Sequence, residues 1–501
     1  MKVWCICGLM LVLSALHAGA AEYATPESQG ISSSAILSWI DACEENLDCM
    51  HGFVIRRNGK IIAEGSWKPF ETLDNPHILY SHSKSFTSTA IGFLADERKL
   101  DLDERVADIF PDDLPTEKSA RLLSLRVRDL LTMNMGAKDH QLTAGGDWVK
   151  LTLAKELTVD PGTFYRYDSD ATYLLAAIVE KKSGVKMMDY LRGRLFEPLG
   201  FGRVWTSFSP QGIPCGGWGM QMNTRDLSKF GQLYLDEGMW KGRRILSREW
   251  VRLASARQTA SGWGGPDQPE SDWYQGYGFQ FWRCRHNAYR ADGADGQVTL
   301  VMPEQNAVVS IHASLGDMGK ELDLIWRHLL AAMKDSALPE DPAAAAKLAG
   351  RCAALTLKTP GASAAGIGKF FGRYSFADNR RGLKSMELSR DGDTPVCTLE
   401  TRAGAWKIPL GVGEWKKGKV KIDPETYEAL GKTVGMQEVF SAAAVQSDGT
   451  LRLRIHFANT TLRLDLTSAD EGGARVLAGR LSGLGGTELK AVMPGAGGDG
   501  Q

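Results

Sequence analysis

Long apolar stretches are scarce in this 501-residue sequence. Beyond residue 20 no run approaches the roughly 20 apolar residues a bilayer-crossing helix needs, so no membrane span is expected. Charge of one sign is scarce as well. The 59 Lys and Arg nearly balance the 60 Asp and Glu, for a formal net charge of −1. That balance removes the electrostatic case for nucleic acid or an anionic membrane surface as partner. No group of Cys and His has the spacing of a zinc site, so no metal is expected. Cysteine itself is sparse, at eight. Cys5 and Cys7 fall in the N-terminal apolar segment, leaving Cys43, Cys49, Cys215, Cys284, Cys352 and Cys397. Cys43 and Cys49 are close enough in sequence to pair; free buried thiols are the alternative.

Hydrophobic residues make up 43% of the chain, enough for a sizeable core, and the length exceeds that of one ordinary domain. The chain starts Met1-Lys2, continues with an apolar run through Val12 and Leu13, and reaches Ala18-Gly19-Ala20. A basic start, a short apolar region and a small-x-small exit predict a signal peptide over 1–20 and a periplasmic or secreted mature protein. Residues 341–366, rich in Ala, Pro and Gly, read as a linker between a domain at 21–340 and a β-rich domain at 367–490. The Gly-rich end, 491–501, reads as a disordered tail.

Along the first domain, Ile36, Leu37 and Ile40 mark an N-terminal helix, and β-rich runs flank Asn58-Gly59, a strong hairpin signal. Met222 to Leu227 starts a further helix, with Asn223 or Thr224 as its cap. Tyr277 to Trp282, Tyr289 to Gly293, Val298 to Pro303 and Ala307 to Ala313 read as strands, and Ile325 to Met333 as a closing helix. Further on, Leu451, Leu453, Ile455 and Phe457 alternate with polar residues, as do Leu462, Leu464 and Leu466. This period of two predicts half-buried antiparallel strands in a small barrel or sandwich.

The stretch with chemical content is Ser81-His82-Ser83-Lys84. Phe86, Ala90, Phe93 and Leu94 follow at helical spacing, so Ser81 and Lys84 share one face of a helix. A serine hydroxyl becomes a nucleophile when an adjacent base takes its proton, and a desolvated lysine can be that base. Ser183-Gly184-Val185-Lys186 has the same spacing but no such context. His82 reads as a packing or rim residue.

Ser81-His82-Ser83-Lys84, Tyr167-Asp168-Ser169 and Ala291-Asp292-Gly293-Ala294-Asp295-Gly296-Gln297 occur in an order that resembles the serine β-lactamase and penicillin-binding-protein superfamily. Within it the chain is most similar to class C β-lactamase-related hydrolases, such as family VIII esterases and 6-aminohexanoate-oligomer hydrolases. The resemblance spans about 25–335. It implies an α+β fold: a β-lactamase-like antiparallel sheet flanked by helices, a helical subdomain, and then the small all-β C-terminal domain. It implies that Ser81 is the acylated nucleophile and Lys84 its base or electrostatic partner. Tyr167 would move protons to the leaving group, with Tyr165 as its rival. The oxyanion hole would combine the backbone N–H groups of Ser81 and Ala294, and Ser169, Asp292 and Gly293 would contact substrate. No cofactor or metal is implied. Ser169 stands where the family has Asn, Ala291 where penicillin-recognising members carry a cation, and Asp292 where they have Thr or Ser. Asp292 would then repel a substrate carboxylate, and strand alternation is expected to point Arg290 to the other face. These departures favour a small-molecule ester or amide as substrate. The alternatives are a β-lactamase or D-Ala-D-Ala-type peptidase and, from another class, a silent protein binding cell-wall fragments.

Overall fold

The computed structural model describes residues 22–138, 145–262, 268–402, 404–422, 435–483 and 486–493. The expected signal peptide, 1–20, and residues 494–501 of the expected tail lie outside the described residues. The chain divides into two units: Met1–Ser66, Thr72–His312 and Asp317–Leu355 form the first, while Trp67–Glu71, Ala313–Gly316 and Thr356–Gln501 form the second.

In the first unit β1 (Met50–Arg57) and β2 (Lys60–Ser66) form the expected hairpin, with Asn58 and Gly59 at φ 48° and 76°. Both central residues of a type I′ turn need positive φ, which Asn-Gly supplies. β3 (Trp282–Arg283), β4 (Tyr289–Gly293), β5 (Gln297–Met302) and β6 (Ala307–Ala313) complete a six-stranded sheet in the order β2-β1-β6-β5-β4-β3. The strand expected from Tyr277 to Trp282 shrinks to its last residue and Arg283. Gly276 at φ 110° and Gln280 at φ 65° break the extended path, and the Gln280 side chain donates to the Leu131 carbonyl instead.

The helices of the first unit include α1 (Ser33–Asn46), α2 (Ser83–Asp96), α3 (Ser169–Ser183), α4 (Thr224–Leu235), α5 (Met318–Leu324) and α6 (Pro342–Ala353). Ser32, Asp168 and Asn223 cap α1, α3 and α4 by accepting backbone N–H groups. Helix α2 is buried on every side from Ser83 to Leu94. Its apolar residues join α3 and α4 in one core with Leu79, Phe230 and Ala291.

Helix α6 occupies the region read as a linker. Alanine is the best helix former, so an Ala run after a capping Asp341 and Pro342 at the first turn favours helix over open chain. Its Leu348 is buried, and Arg351 pairs with Glu44 of α1 at 2.6 Å. The six described cysteines are all free thiols, Cys43 and Cys49 included.

The second unit contains a ten-stranded antiparallel sheet running from Gly372–Phe376 to Thr487–Met493. Its first and last strands pair, and the Trp406 indole N–H donates to the Lys421 carbonyl at 3.0 Å, joining the sheet's two edge strands. The result is close to a barrel around Leu453, Ile455, Leu464 and Leu466, the alternating apolar residues of the sequence. Residues 491–493 of the expected tail belong to its last strand.

Candidate active site

A tight turn, Tyr80–His82, leads directly into α2, with Tyr80 at φ 46°. The turn leaves Ser81 partly exposed, while Lys84 is 1% exposed. Lys84 Nζ lies 3.0 Å from Ser81 Oγ, 3.0 Å from Ser169 Oγ and 2.8 Å from the Gly217 carbonyl. Ser169 thus contacts Lys84. His82 is fully buried and stacked on Phe86, and burial pushes its imidazole down to about 3, which suits packing and not base chemistry.

Gly217 is a site residue that the three motifs do not reveal. Its only local signal is the cluster Gly216-Gly217-Trp218-Gly219. A Cβ on Gly216 would meet the Thr172 carbonyl at 2.9 Å, and one on Gly217 would meet Ser169 at 3.1 Å. Only bare backbone can thread past the start of α3 to bring a carbonyl to Lys84. Thr87 of α2 holds the same loop by donating to the Gly216 carbonyl at 2.9 Å.

Tyr167 sits between Lys84 and an aromatic wall. Lys84 Nζ lies 4.7 Å from its ring centroid, and the ring stacks on Trp282 at 5.5 Å. Its hydroxyl hydrogen-bonds with Ser81. Burial raises its phenol above the ordinary value, and the bond to Ser81 offsets this only in part, so the phenol rests protonated. Tyr165, the rival, is 7% exposed, packs on Tyr277, and its hydroxyl has no partner among the described residues. The backbone around Tyr167 is anchored from below. Lys155 Nζ lies 3.1 Å from Asp168 and 2.5 Å from Asp170, and all three side chains are almost fully buried.

Strand β4 brings the third motif to the nucleophile turn. A Cβ on Gly293 would meet the Leu79 carbonyl at 2.0 Å and the His82 nitrogen at 3.1 Å. Gly293 therefore lets the strand touch the turn, placing Ala294 just beyond it. Asp292 departs from expectation. Residues two apart on a strand share a face, so Arg290 points with Asp292 and not away from it. Arg290 Nε donates to Asp292 Oδ2 at 2.6 Å, and the guanidinium lies 4.5 Å from the Trp273 ring and 5.6 Å from the Trp282 ring. Asp292 is thus neutralised internally and is no repulsive charge toward substrate. Ala291, on the opposite face, is 1% exposed in the main core.

Residues 46–334 match the protein family described as Beta-lactamase. The chain belongs to the beta-lactamase family. Membership fixes the fold of the first unit and makes the chain a β-lactamase-related serine hydrolase. The 6-aminohexanoate-dimer hydrolase of Paenarthrobacter ureafaciens is 26% identical over 273 residues, covering 50% of this chain and 69% of that protein. Penicillin-binding protein 4 of Amycolatopsis lactamdurans is 26% identical over 305 residues, 52% of this chain and 77% of that one. A solved Bacillus anthracis structure, provisionally named a 6-aminohexanoate-dimer hydrolase, superposes with a TM-score of 0.51 at 19% identity, covering 60% of this chain and 83% of its own. That likeness speaks to fold alone.

Proposed function

We propose that this beta-lactamase-family chain hydrolyses a short neutral ester or small amide through an acyl-enzyme on Ser81. The observation that carries the proposal is the 3.0 Å contact between the buried Lys84 Nζ and Ser81 Oγ, with the protonated phenol of Tyr167 bonded to the same serine. Ser81 Oγ attacks the substrate carbonyl carbon and gives its proton to neutral Lys84. The bond to the leaving group breaks as Tyr167 protonates that group, and Lys84 returns a proton to Tyr167. Water then attacks the acyl carbon, loses a proton to the same pair, and Ser81 recovers its own. The backbone N–H groups of Ser81 and Ala294 are the proposed donors to the oxyanion, each typically worth about 2.7–4 kcal/mol.

The substrate class follows from the third motif. Ala291 offers no cation, and Arg290 is buried against Asp292, so neither residue is available to hold a substrate carboxylate. A neutral acyl group needs no such anchor. The 6-aminohexanoate-dimer hydrolase relative is named for a small amide, which supports the amide half of the proposal. The test compares p-nitrophenyl acetate with a chromogenic cephalosporin. Efficiency on the ester should be at least about a hundredfold higher, ~2.7 kcal/mol. Ser81→Ala should abolish turnover and fluorophosphonate labelling while the far-UV circular dichroism is kept. Equal efficiency on both substrates would favour a β-lactamase; labelling that survives in Ser81→Ala would end the assignment of the nucleophile.

A further inference from the structure

Gln297 and His312 are both fully buried, and neither takes part in the acyl-enzyme chemistry. Gln297 opens β5 directly after the turn Ala294-Asp295-Gly296. Its Nε2 donates to the Ala294 carbonyl at 3.3 Å and to the Asp295 carbonyl at 3.1 Å. The side-chain amide is therefore oriented with Oε1 pointing the other way. His312 Nδ1 meets that oxygen at 2.8 Å, and its Nε2 lies 3.1 Å from the Met222 carbonyl. Met222 pairs with His77, and Ile78 with Gln221. The Leu79 N–H donates to the Met220 carbonyl at 2.9 Å, which carries the connection to within two residues of Ser81. One line of contacts thus runs from the Ala294 turn through Gln297 and His312 to the strand that holds the nucleophile turn.

We infer that Gln297 and His312 are positioning residues that set the spacing between the Ala294 and Ser81 backbone N–H groups. This rests on the proposed oxyanion hole and deepens it. The geometry explains why a glutamine stands at the mouth of an apolar strand: two carbonyls of one turn need a donor, and an amide can supply both. Burial, together with His77 and His82, holds the His312 imidazole well below its usual value, so the ring is neutral. Its single N–H can serve one of two oxygens, Gln297 Oε1 or the Met222 carbonyl, and the ring packs against the other. The His77 ring lies 4.6 Å from the His312 ring and bonds His51 at 2.9 Å, so the histidine is braced from behind.

The test uses the full chain and p-nitrophenyl acetate, with sites counted by fluorophosphonate titration run to completion. Counting removes any misfolded fraction from the comparison. Gln297→Met and His312→Leu should each lower kcat per titrated site at least about tenfold and leave KM within about threefold, because the turn touches the oxyanion and not the ground-state ester. His312→Gln, which restores an N–H toward Gln297, should recover most of the loss. Per-site kcat within about twofold of wild type in both variants would overturn the inference while leaving the Ser81 reading in place. An unlabelled Ser81 in the wild type would instead overturn that reading, and this inference with it.

Discussion

At the residue scale, two tyrosines two positions apart have different surroundings and should have different roles. Tyr167 touches both Lys84 and Ser81, whereas the Tyr165 hydroxyl has no partner among the described residues. Tyr167→Phe should lower kcat on p-nitrophenyl acetate by about 10²–10⁴-fold with KM little changed, in the range of a lost general acid. Tyr165→Phe should stay within a few-fold, and steady-state kinetics of the pair decides the matter. Ser81 and Lys84 were legible in the sequence because their proximity is local, fixed by helical spacing. Gly217 and the Arg290–Asp292 pair were harder for different reasons. The Gly217 carbonyl reaches Lys84 across 133 positions, and no pattern of residue types encodes that approach. The Arg290 pairing was readable in principle, since i and i+2 share a strand face, which is the opposite of the expectation that alternation turns Arg290 away.

At the scale of elements, helix α2 explains an oddity of composition. A helix buried on all sides carries Ser85, Thr87, Ser88 and Thr89, which periodicity alone would place on a wet face. Each hydroxyl has a partner: the Gln280, Gly216 and Phe279 carbonyls and the Tyr234 hydroxyl. The helix therefore grips the loops that build the site. The segment holding Tyr167 is secured by charge. Lys155→Met would leave Asp168 and Asp170 buried without their cation, and a loss of about 3–5 kcal/mol in folding free energy is expected, read from urea unfolding. Helices α3 and α4, the Asn58-Gly59 hairpin and the paired strands β4 to β6 were legible because caps, turns and alternation are local signals. Residues 342–353 of the expected linker form α6, because an Ala-rich stretch favours helix.

At the scale of the whole molecule, one buried acid should shape stability. Glu321 of α5 is 1% exposed, neither carboxyl oxygen has a partner among the described residues, and burial raises it from 4.5 to about 8, with Asp292 adding to the rise and Arg290 opposing it. The native state keeps this proton up to about pH 8 while the unfolded chain releases it near 4.5, so stability should fall as pH rises through that window. Denaturation midpoints measured across it should decline in the wild type and decline less in Glu321→Gln. Export is a separate expectation: N-terminal sequencing of the exported protein should begin at Ala21 or within a few residues of it, and an intact Met1 would refute the processing. Packing also decides where this chain can be cut. The second unit is stitched from three stretches of the sequence. Trp67 and Phe70 are buried, Phe70 packs on Phe440 and His456, and the Ser314 hydroxyl donates to the Thr461 carbonyl. A truncation after Leu355 deletes the partners and keeps the stitches, leaving apolar side chains bare and a hydroxyl without its acceptor. The boundary at Leu355 is a contour of packing and not a place for scissors: the shortened hydrolase should be sticky, with its catalytic residues intact and its solubility gone.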